Sequence, residues 1–329
     1  MHNTGDNSMT VCPICQKSEF ELLATRIREG TGRIVRCQRC GLIMQDLAWD
    51  EKTLREYYER EYQTTNSLVR GKVQTVEEHY ADRMQTIGSV FSQISDHLKP
   101  EMAVLDVGCG AGELLTLIKP LVRRCAGVEM NTEFVRHIRD RLHIEAYAGD
   151  INHLDLGGRF DLIVCISTLD HLRNPLETLI TMRELLAPGG ELYIEVPNVE
   201  EALTLFLPER TRKAYRTFFW HRAHLFYFSR ETLGLLMAKA GFVTKITCRH
   251  EYTLKNFLHW YFLGKPQKDF VSGVTETTLF SGTSPFEVEM NALWGRVERE
   301  FKEIMSRTFG GDNLCCWATR QQDGKGEAR

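Results

Sequence analysis

The sequence predicts an α/β protein built on a largely parallel sheet, and three observations support this fold class. Apolar segments of strand length alternate with helical patterns between residues 102 and 196. The first of these strands runs into a glycine-rich turn and then a helix, as at the start of a βαβ unit. Two cysteine pairs near the N-terminus indicate a small metal-bound module ahead of that unit.

The glycine-rich turn has the sequence Asp-Val-Gly-Cys-Gly-Ala-Gly, with Asp106 at the strand end and glycines at 108, 110 and 112. Glycine lets a ligand approach the backbone because no Cβ atom intervenes. A dinucleotide-binding turn has the spacing G-x-G-x-x-G and holds a pyrophosphate. Here a carboxylate precedes the turn and favours a cationic ligand.

This turn resembles the first motif of the class I S-adenosylmethionine-dependent methyltransferases, whose cofactor carries an ammonium and a sulfonium. The resemblance implies a seven-stranded Rossmann-like sheet with six parallel strands and one antiparallel strand. An ordinary α/β domain with an accidental glycine turn is the alternative. The resemblance assigns ten residues to the cofactor: Asp106, Gly108, Cys109, Gly110, Gly112, Glu129, Met130, Asp150, Ile151 and Ser167.

The later segments fall in the order that this fold requires. A strand at 125–128 ends in Glu129, whose carboxylate is expected to accept both ribose hydroxyls. A third strand at 144–148 leads to Asp150 and Ile151, where the family holds the adenine. The remaining elements are a buried strand at 160–167, a helix at 175–186, strands at 191–196 and 242–248, and an antiparallel strand at 313–319.

The two cysteine pairs are C-x2-C knuckles, Cys12 with Cys15 and Cys37 with Cys40. Four thiolates form a closed tetrahedral site, which is typical of structural zinc in a zinc ribbon and leaves no open catalytic position. Two short strands at 19–25 and 33–36, joined by a turn at 30–32, are expected between the knuckles. The other six cysteines are interpreted as small core residues: Cys109, Cys125, Cys165, Cys248, Cys315 and Cys316.

Composition excludes several classes of partner. The 329 residues carry a formal net charge of -3, which gives no general attraction to nucleic acid or to anionic membranes. No apolar run reaches membrane-spanning length and no export signal precedes the ribbon, so we expect a cytoplasmic protein with reduced thiols.

Two helices are expected ahead of the main sheet, and the chain as a whole is expected to divide into four parts. An amphipathic helix at 76–98 would lie beside the cofactor, with Tyr80 as a candidate contact to the acceptor. A charged helix is expected at 50–62. The parts are a zinc ribbon at 1–48, a helical linker or lid at 49–98, a methyltransferase domain at 99–320 with acceptor-cap insertions at 200–228 and 253–310, and a disordered tail at 321–329.

The chemistry is expected just beyond the fourth strand, at Asp170 and His171. Open α/β sheets bind ligands at the carboxyl ends of their strands, where the winding direction reverses. Histidine suits a general base at neutral pH, and Asp170 would orient it or bind the acceptor. Alternatively, His171 caps the following helix or hydrogen-bonds the cofactor.

A second group, His221, Arg222 and His224, precedes an aromatic stretch. The block at 224–241 is similar to one in bacterial methyltransferases found among polysaccharide and nucleotide-sugar genes, and this similarity implies that His224 faces the acceptor. His221 and Arg222 are candidate acceptor contacts, with Arg222 binding phosphate or carboxylate. Phe226 and Phe228 are assigned to packing.

The ribbon and core together resemble the sugar C- and O-methyltransferases. The C-methyltransferases carry a further C-terminal domain, so we expect O-methylation of a nucleotide-linked sugar or glycan, in surface polysaccharide or secondary metabolism, by a chain that can form a homodimer. Sugar C-methylation and a non-catalytic binding module are alternatives. A further alternative is RNA methylation in which the ribbon reads RNA through Arg26, Arg28, Arg33, Arg36 and Arg39.

Overall fold

The N-terminal part is a small antiparallel ribbon. The computed structural model describes residues 11–47, 53 and 74–321. The ribbon strands are β1 (Phe20–Ile27), β2 (Gly30–Cys37) and β3 (Ile43–Gln45). The hairpin turn lies at residues 28 and 29 and not at 30–32, because Gly30, with φ 127°, already begins β2.

Two helices, α1 (Val76–Met84) and α2 (Gly88–Ile94), replace the single helix predicted at 76–98. Thr75 begins α1 with a reciprocal capping box to Glu78. The chain turns between Met84 and Gly88, so that Gly88 begins the second helix. In one continuous helix Gly88 would lie in the interior, where glycine is unfavourable. Apart from Thr53, the helix predicted at 50–62 lies outside the described residues, as does the tail from 322 to 329.

Strands and helices then alternate along the core of the chain. The strands at 103–107, 160–166 and 186–197 are rich in buried apolar residues, as expected for parallel strands covered on both faces. In the edge strand at 145–148 only Ala146 is buried. The elements are β4 (Ala103–Val107), α3 (Glu113–Ile118), β5 (Arg124–Glu129), α4 (Thr132–Asp140), β6 (Glu145–Ala148), β7 (Phe160–Ile166), α5 (Pro175–Leu185) and β8 (Leu186–Pro197).

The rest of the chain adds the cap and completes the sheet. Ser229 caps the helix at 230–239, and Gly241 follows its end with φ 82°. The elements are α6 (Ala202–Phe206), α7 (Glu209–Phe219), β9 (Phe226–Tyr227), α8 (Arg230–Lys239), β10 (Phe242–Arg249), α9 (Leu254–Leu258), α10 (Phe270–Thr275), α11 (Pro285–Arg307) and β11 (Asn313–Arg320).

The main sheet has the strand order β10-β11-β8-β7-β4-β5-β6, and only β11 runs antiparallel to its neighbours. The predicted fold class is therefore confirmed. The order reverses between β4 and β7, which places a ligand crevice at their carboxyl ends. None of the described helices combines the length and the apolar character needed to span a bilayer.

The ribbon is joined to the rest of the molecule through a shared sheet. Strand β9 pairs with β3, with Met44 opposite Phe226 and Ile43 opposite Tyr227, so the ribbon sheet has the order β1-β2-β3-β9. Phe226, Tyr227 and Phe228 are buried, which confirms the packing role predicted for Phe226 and Phe228. The short strand β9 therefore fixes the ribbon beside the segment that carries His221 and His224.

Candidate active site

A cavity of about 1030 Å³ lies at the carboxyl ends of β4, β5, β7 and β8. Its walls come from all parts of the chain, including the ribbon, helix α1 and the cap. Nine of the ten predicted cofactor residues line it: Asp106, Gly108, Cys109, Gly110, Glu129, Met130, Asp150, Ile151 and Ser167.

The first glycine of the turn has no room for a side chain. Gly108 has φ 77°, and a Cβ atom added there would lie 2.1 Å from Oγ1 of Thr168. Its N–H donates to the carbonyl of Val128, which fixes the turn across β5. Glycine is therefore required both by the left-handed backbone and by the approach of the segment that follows β7.

Gly112 serves a different purpose from the one predicted. It lies at the start of α3 with φ 92°, where an added Cβ would be 2.9 Å from Ile138 and Leu142. It is not among the residues that line the cavity. Its small size allows α3 to pack closely against α4, so the structure assigns it to packing and not to direct cofactor contact.

Two carboxyl groups give the cavity an acidic wall. Burial raises the pKa of Asp106 to about 8, and the nearby Glu113 and Glu129 add to this shift. Burial likewise raises the pKa of Glu113 to about 7, although Arg83 opposes the shift. Because a cation would favour their charged forms, these groups fit a ligand that carries an ammonium and a sulfonium.

Glu129 is held at the end of β5 by the backbone. Its Oε2 accepts from the N–H of Gly110 at 3.1 Å and its Oε1 accepts from that of Asn131 at 2.9 Å. Each carboxylate oxygen has a further lone pair, so both can still accept a ribose hydroxyl. Asp150 begins the next turn by accepting from the N–H of Asn152, which leaves Ile151 buried against the cavity.

Asp170, His171 and His224 form one cluster. Nε2 of His171 lies 3.5 Å from Oδ2 of Asp170, and Nε2 of His224 lies 3.7 Å from the same atom. Asp170 is 1% exposed, and its carboxyl oxygens accept no hydrogen bond within the described residues. Both imidazoles line the cavity, whereas Asp170 is not among the lining residues and lies next to both of them.

The two histidines stand edge to face, with ring centroids 4.8 Å apart. Burial lowers the pKa of His224 well below its usual range, and His171, His221 and Arg28 lower it further. His224 is therefore a neutral imidazole at neutral pH. A neutral imidazole has one nitrogen lone pair and can accept a proton.

His221 is engaged at both ring nitrogens. Its Nδ1 accepts from the N–H of Ala223 at 3.1 Å, and its Nε2 lies 3.0 Å from Oε1 of Glu29 in the ribbon. This pattern fixes the tautomer with the proton on Nε2, so His221 has no free lone pair for a general base. It lines the cavity as predicted and also links the cap to the ribbon.

Two predicted acceptor contacts are not among the residues that line the cavity. The backbone N–H of Arg222 donates to Oε2 of Glu29, and its guanidinium donates to the Glu29 carbonyl at 3.5 Å. The hydroxyl of Tyr80 donates to Oγ1 of Thr116, and its ring packs against His137. In helix α1, His79 and Arg83 face the cavity instead, because residues three or four apart share a helix face.

Arg28, Glu113 and His79 are among the lining residues that the sequence reasoning missed. Arg28 reaches the cavity from the ribbon turn, whereas the sequence named it only among the arginines of the RNA-reading alternative. Glu113, the first residue of α3, follows the glycine turn directly, and this position could have identified it. Burial lowers the pKa of His79 to about 4, and its Nε2 lies 3.7 Å from Glu113.

The four ribbon cysteines converge on one point. The Sγ atoms of Cys12 and Cys40 are 3.4 Å apart, as are those of Cys15 and Cys37, and all four lie within 4.8 Å of one another. A Zn–S distance of about 2.3 Å places sulfur atoms about 3.8 Å apart around a tetrahedral ion. The cluster therefore fits a four-thiolate zinc site.

A Rossmann-like sheet with one antiparallel strand, and an acidic cavity at the glycine turn, are typical of a class I S-adenosylmethionine-dependent methyltransferase domain. A family model described as a methyltransferase domain matches residues 77–245, slightly more than half of the chain. The chain belongs to this family of methyltransferase domains.

The curated relatives include different methyltransferases. The chain is 26% identical over 136 residues to a ubiquinone biosynthesis O-methyltransferase of Colwellia psychrerythraea, which covers 39% of this chain and 52% of that protein. It is 27% identical over 168 residues to a tRNA U34 carboxymethyltransferase of Shewanella amazonensis, with 48% and 49% covered. The chain spans about half the length of these relatives.

Solved structures also resemble the chain. Magnesium protoporphyrin IX methyltransferase from Synechocystis PCC 6803, solved with bound SAH, matches with a TM-score of 0.46 and 19% identity. The match covers 61% of this chain and 93% of the cyanobacterial one.

Proposed function

We propose that this methyltransferase methylates a hydroxyl group of a nucleotide-linked sugar or of a glycan end. The observation that carries the proposal is the cluster of Asp170, His171 and His224, in which both imidazoles face the cavity that contains the acidic cofactor wall. A base at this position serves an acceptor whose proton must leave as the methyl group arrives.

S-adenosylmethionine, when bound, supplies an electrophilic methyl group on a sulfonium. The chain then has to align the acceptor and remove its proton. His224 or His171 takes the hydroxyl proton on an imidazole nitrogen, and the Asp170 carboxylate stabilises the imidazolium that forms. Alignment contributes up to about 7–11 kcal/mol to such a reaction, and a positioned base adds about 10²- to 10⁴-fold in rate.

Several features support a small oxygen acceptor. The cavity combines aromatic walls, from Tyr215, Phe218 and Phe219, with polar groups on the ribbon and cap. Aromatic faces with a few polar groups are typical of sites for small ligands. The block at 224–241 carries the sugar-enzyme resemblance, and the relative from Colwellia is by name an O-methyltransferase. In sugar C-methylation the same histidines would remove a proton from a carbon atom of the sugar.

A structural zinc ion in the ribbon belongs to the same proposal. Each knuckle uses backbone hydrogen bonds to shape its turn: the Gln16 N–H donates to the Cys12 carbonyl, and the Gly41 N–H donates to the Cys37 carbonyl. Four thiolates close the coordination shell, so the ion would stabilise the ribbon and take no part in methyl transfer.

RNA methylation is the second candidate. Relatives named as tRNA U34 carboxymethyltransferases favour it, as do the exposed Arg26, Arg36 and Arg39 on the ribbon. RNA binding through such a surface would weaken steeply with added salt.

Methyl-labelled S-adenosylmethionine and a cell extract divided into small-molecule, glycan, RNA and protein fractions test the proposal. We expect label in the small-molecule or glycan fraction. His171→Ala or His224→Ala should lower this labelling by about 10²- to 10⁴-fold with cofactor binding retained. The matched control is His97→Ala, since His97 stacks on Trp317 and does not line the cavity. Label confined to RNA or protein would contradict the sugar proposal.

A further inference from the structure

The ribbon turn enters the cavity beside the end of helix α7. The N–H of Arg28 donates to the carbonyl of Trp220, and Nε of Arg28 donates to that of Phe218 at 2.6 Å. The guanidinium carbon lies 3.8 Å from the centre of the Phe218 ring. Two contacts from one guanidinium to one residue hold its orientation, and the remaining nitrogens are left for another partner.

No carboxylate of the described residues forms an ion pair with Arg28. The neighbouring Glu29 is occupied, because its carboxylate contacts Nε2 of His221 and accepts from the N–H of Arg222. Two other ribbon arginines differ in this respect: Arg33 pairs with Asp46 and Arg36 with Glu21. Arg28 is exposed to solvent but enclosed by the cavity walls, and this enclosure lowers the pKa of its guanidinium, which nevertheless stays protonated.

Three other ionisable groups of the cavity lining already have partners within the protein. Arg249 binds Glu195 through two nitrogens and lies 3.5 Å from Glu251. Asp312 accepts from the N–H groups of Glu251 and Tyr252. Glu201 accepts from the hydroxyl of Tyr215, and burial raises the pKa of Glu201 to about 8, so this carboxyl carries little charge at neutral pH. Arg28 is therefore a cation of this end that forms no ion pair within the described residues, although the nearby Glu29 carboxylate favours its charged form.

Arg28 also acts on the catalytic side of the cavity. Burial is the main cause of the lowered pKa of His221, and the charge of Arg28 is the next; for His224, Arg28 contributes after burial and the two neighbouring histidines. A ligand group bound at Arg28 would consequently lie in the same compartment as the proposed base. This position is suited to part of the acceptor.

We propose that Arg28 of the ribbon binds an anionic group of the acceptor, a phosphate or a carboxylate, and that the ribbon thereby selects charged acceptors. This inference rests on the proposed function, and it gives the ribbon a direct role in acceptor binding. Arginine suits both anions because its planar guanidinium donates in parallel to two oxygens.

Calorimetry on the zinc-containing protein loaded with S-adenosylhomocysteine tests this assignment. The probes are uridine diphosphate for a phosphate source and glucuronate for a carboxylate source. The test variant is Arg28→Gln, and the matched control is Arg26→Gln, two residues earlier near the end of β1 and outside the cavity lining. Zinc content and circular dichroism verify that each variant is folded.

We expect the wild type and Arg26→Gln to bind at least one probe equally well, with Arg28→Gln weaker by roughly 10- to 100-fold. Binding of uridine diphosphate alone would identify a phosphate, and binding of glucuronate alone a carboxylate. Equal binding by Arg28→Gln, or no saturable binding by the wild type, would overturn the assignment. Failure of the sugar reaction is a separate result, because this experiment requires no turnover.

Discussion

At the scale of single residues, the cavity is organised by groups whose ionisation is disturbed. Asp106 and Glu113 form the acidic wall, and burial raises the pKa of both. At the other side, burial lowers the pKa of His224. One end of the cavity therefore favours a cationic ligand, while the other keeps a neutral base. Such opposed shifts within one cavity are typical of sites that divide binding and proton transfer between different residues.

Cofactor binding should strengthen as the pH rises. In the free protein the pKa of Asp106 is raised from 3.8 to about 8, so its contribution to folding stability is complete below its ordinary pKa and is lost as the pH rises through about 8. A cation at the site favours the ionised carboxyl. The rise in unfolding temperature caused by S-adenosylmethionine should therefore grow between about pH 6 and pH 9.

Differential scanning fluorimetry of the wild type and Asp106→Asn measures this dependence. The variant lacks the titrating group, so its cofactor-induced shift should be smaller and less dependent on pH. A shift that is the same at every pH in the wild type would contradict the assignment of Asp106 to a cationic ligand.

At the scale of elements, the predictable parts are those with a local signature. Apolar runs located the main-sheet strands, and the Asp-Val-Gly-Cys-Gly-Ala-Gly turn located the start of the βαβ unit. The break between α1 and α2 was missed because the apolar stripe continues across it, with Ile87, Val90 and Ile94 all buried. The spacing of apolar residues shows which face of a helix is buried. It does not show a short turn between two helices when both helices bury the same face.

The glycine turn gives a sharp test at this scale. Gly108→Ala places a Cβ against Thr168 at a residue with φ 77°. We expect the free energy of unfolding to fall by about 1–3 kcal/mol from backbone strain, with a further loss from the clash, and cofactor affinity to fall. Calorimetry and denaturant unfolding measure the two effects.

The control is Gly88→Ala at the start of α2, where an added Cβ meets nothing within 4 Å. Alanine there should be neutral or stabilise the helix by up to about 1 kcal/mol. Equal behaviour of the two variants would argue against a close approach at Gly108.

The ribbon should depend on its metal. Cys12→Ser and Cys40→Ser each remove one of four converging thiols. We expect the wild type to retain one zinc ion per chain after dialysis, and each variant to lose zinc and unfold at a lower temperature. Metal analysis by mass spectrometry checks the first result. Cys316→Ser, in the core and far from the ribbon knuckles in sequence, is the control and should keep its zinc.

At the scale of the whole molecule, the ribbon, sheet and cap meet around one cavity. Strand β9 joins the ribbon sheet to the cap, and Arg28 and Glu29 reach Phe218 and His221 from across the chain. Local sequence could not have predicted these contacts, since a two-residue strand has no periodicity and the partners lie about 190 residues apart. The positions of Arg28 and Arg222 were therefore misjudged, whereas Asp106, Glu129 and His171, which stand at or just beyond strand ends, were placed correctly beside the cavity.

A crystal structure of the protein with S-adenosylhomocysteine tests most directly whether one cavity serves cofactor and acceptor. We expect the ribose hydroxyls at Glu129, the amino acid portion beside Asp106 and Glu113, and the sulfur directed toward His171 and His224. S-adenosylhomocysteine bound elsewhere, or with its sulfur facing away from both histidines, would contradict this account.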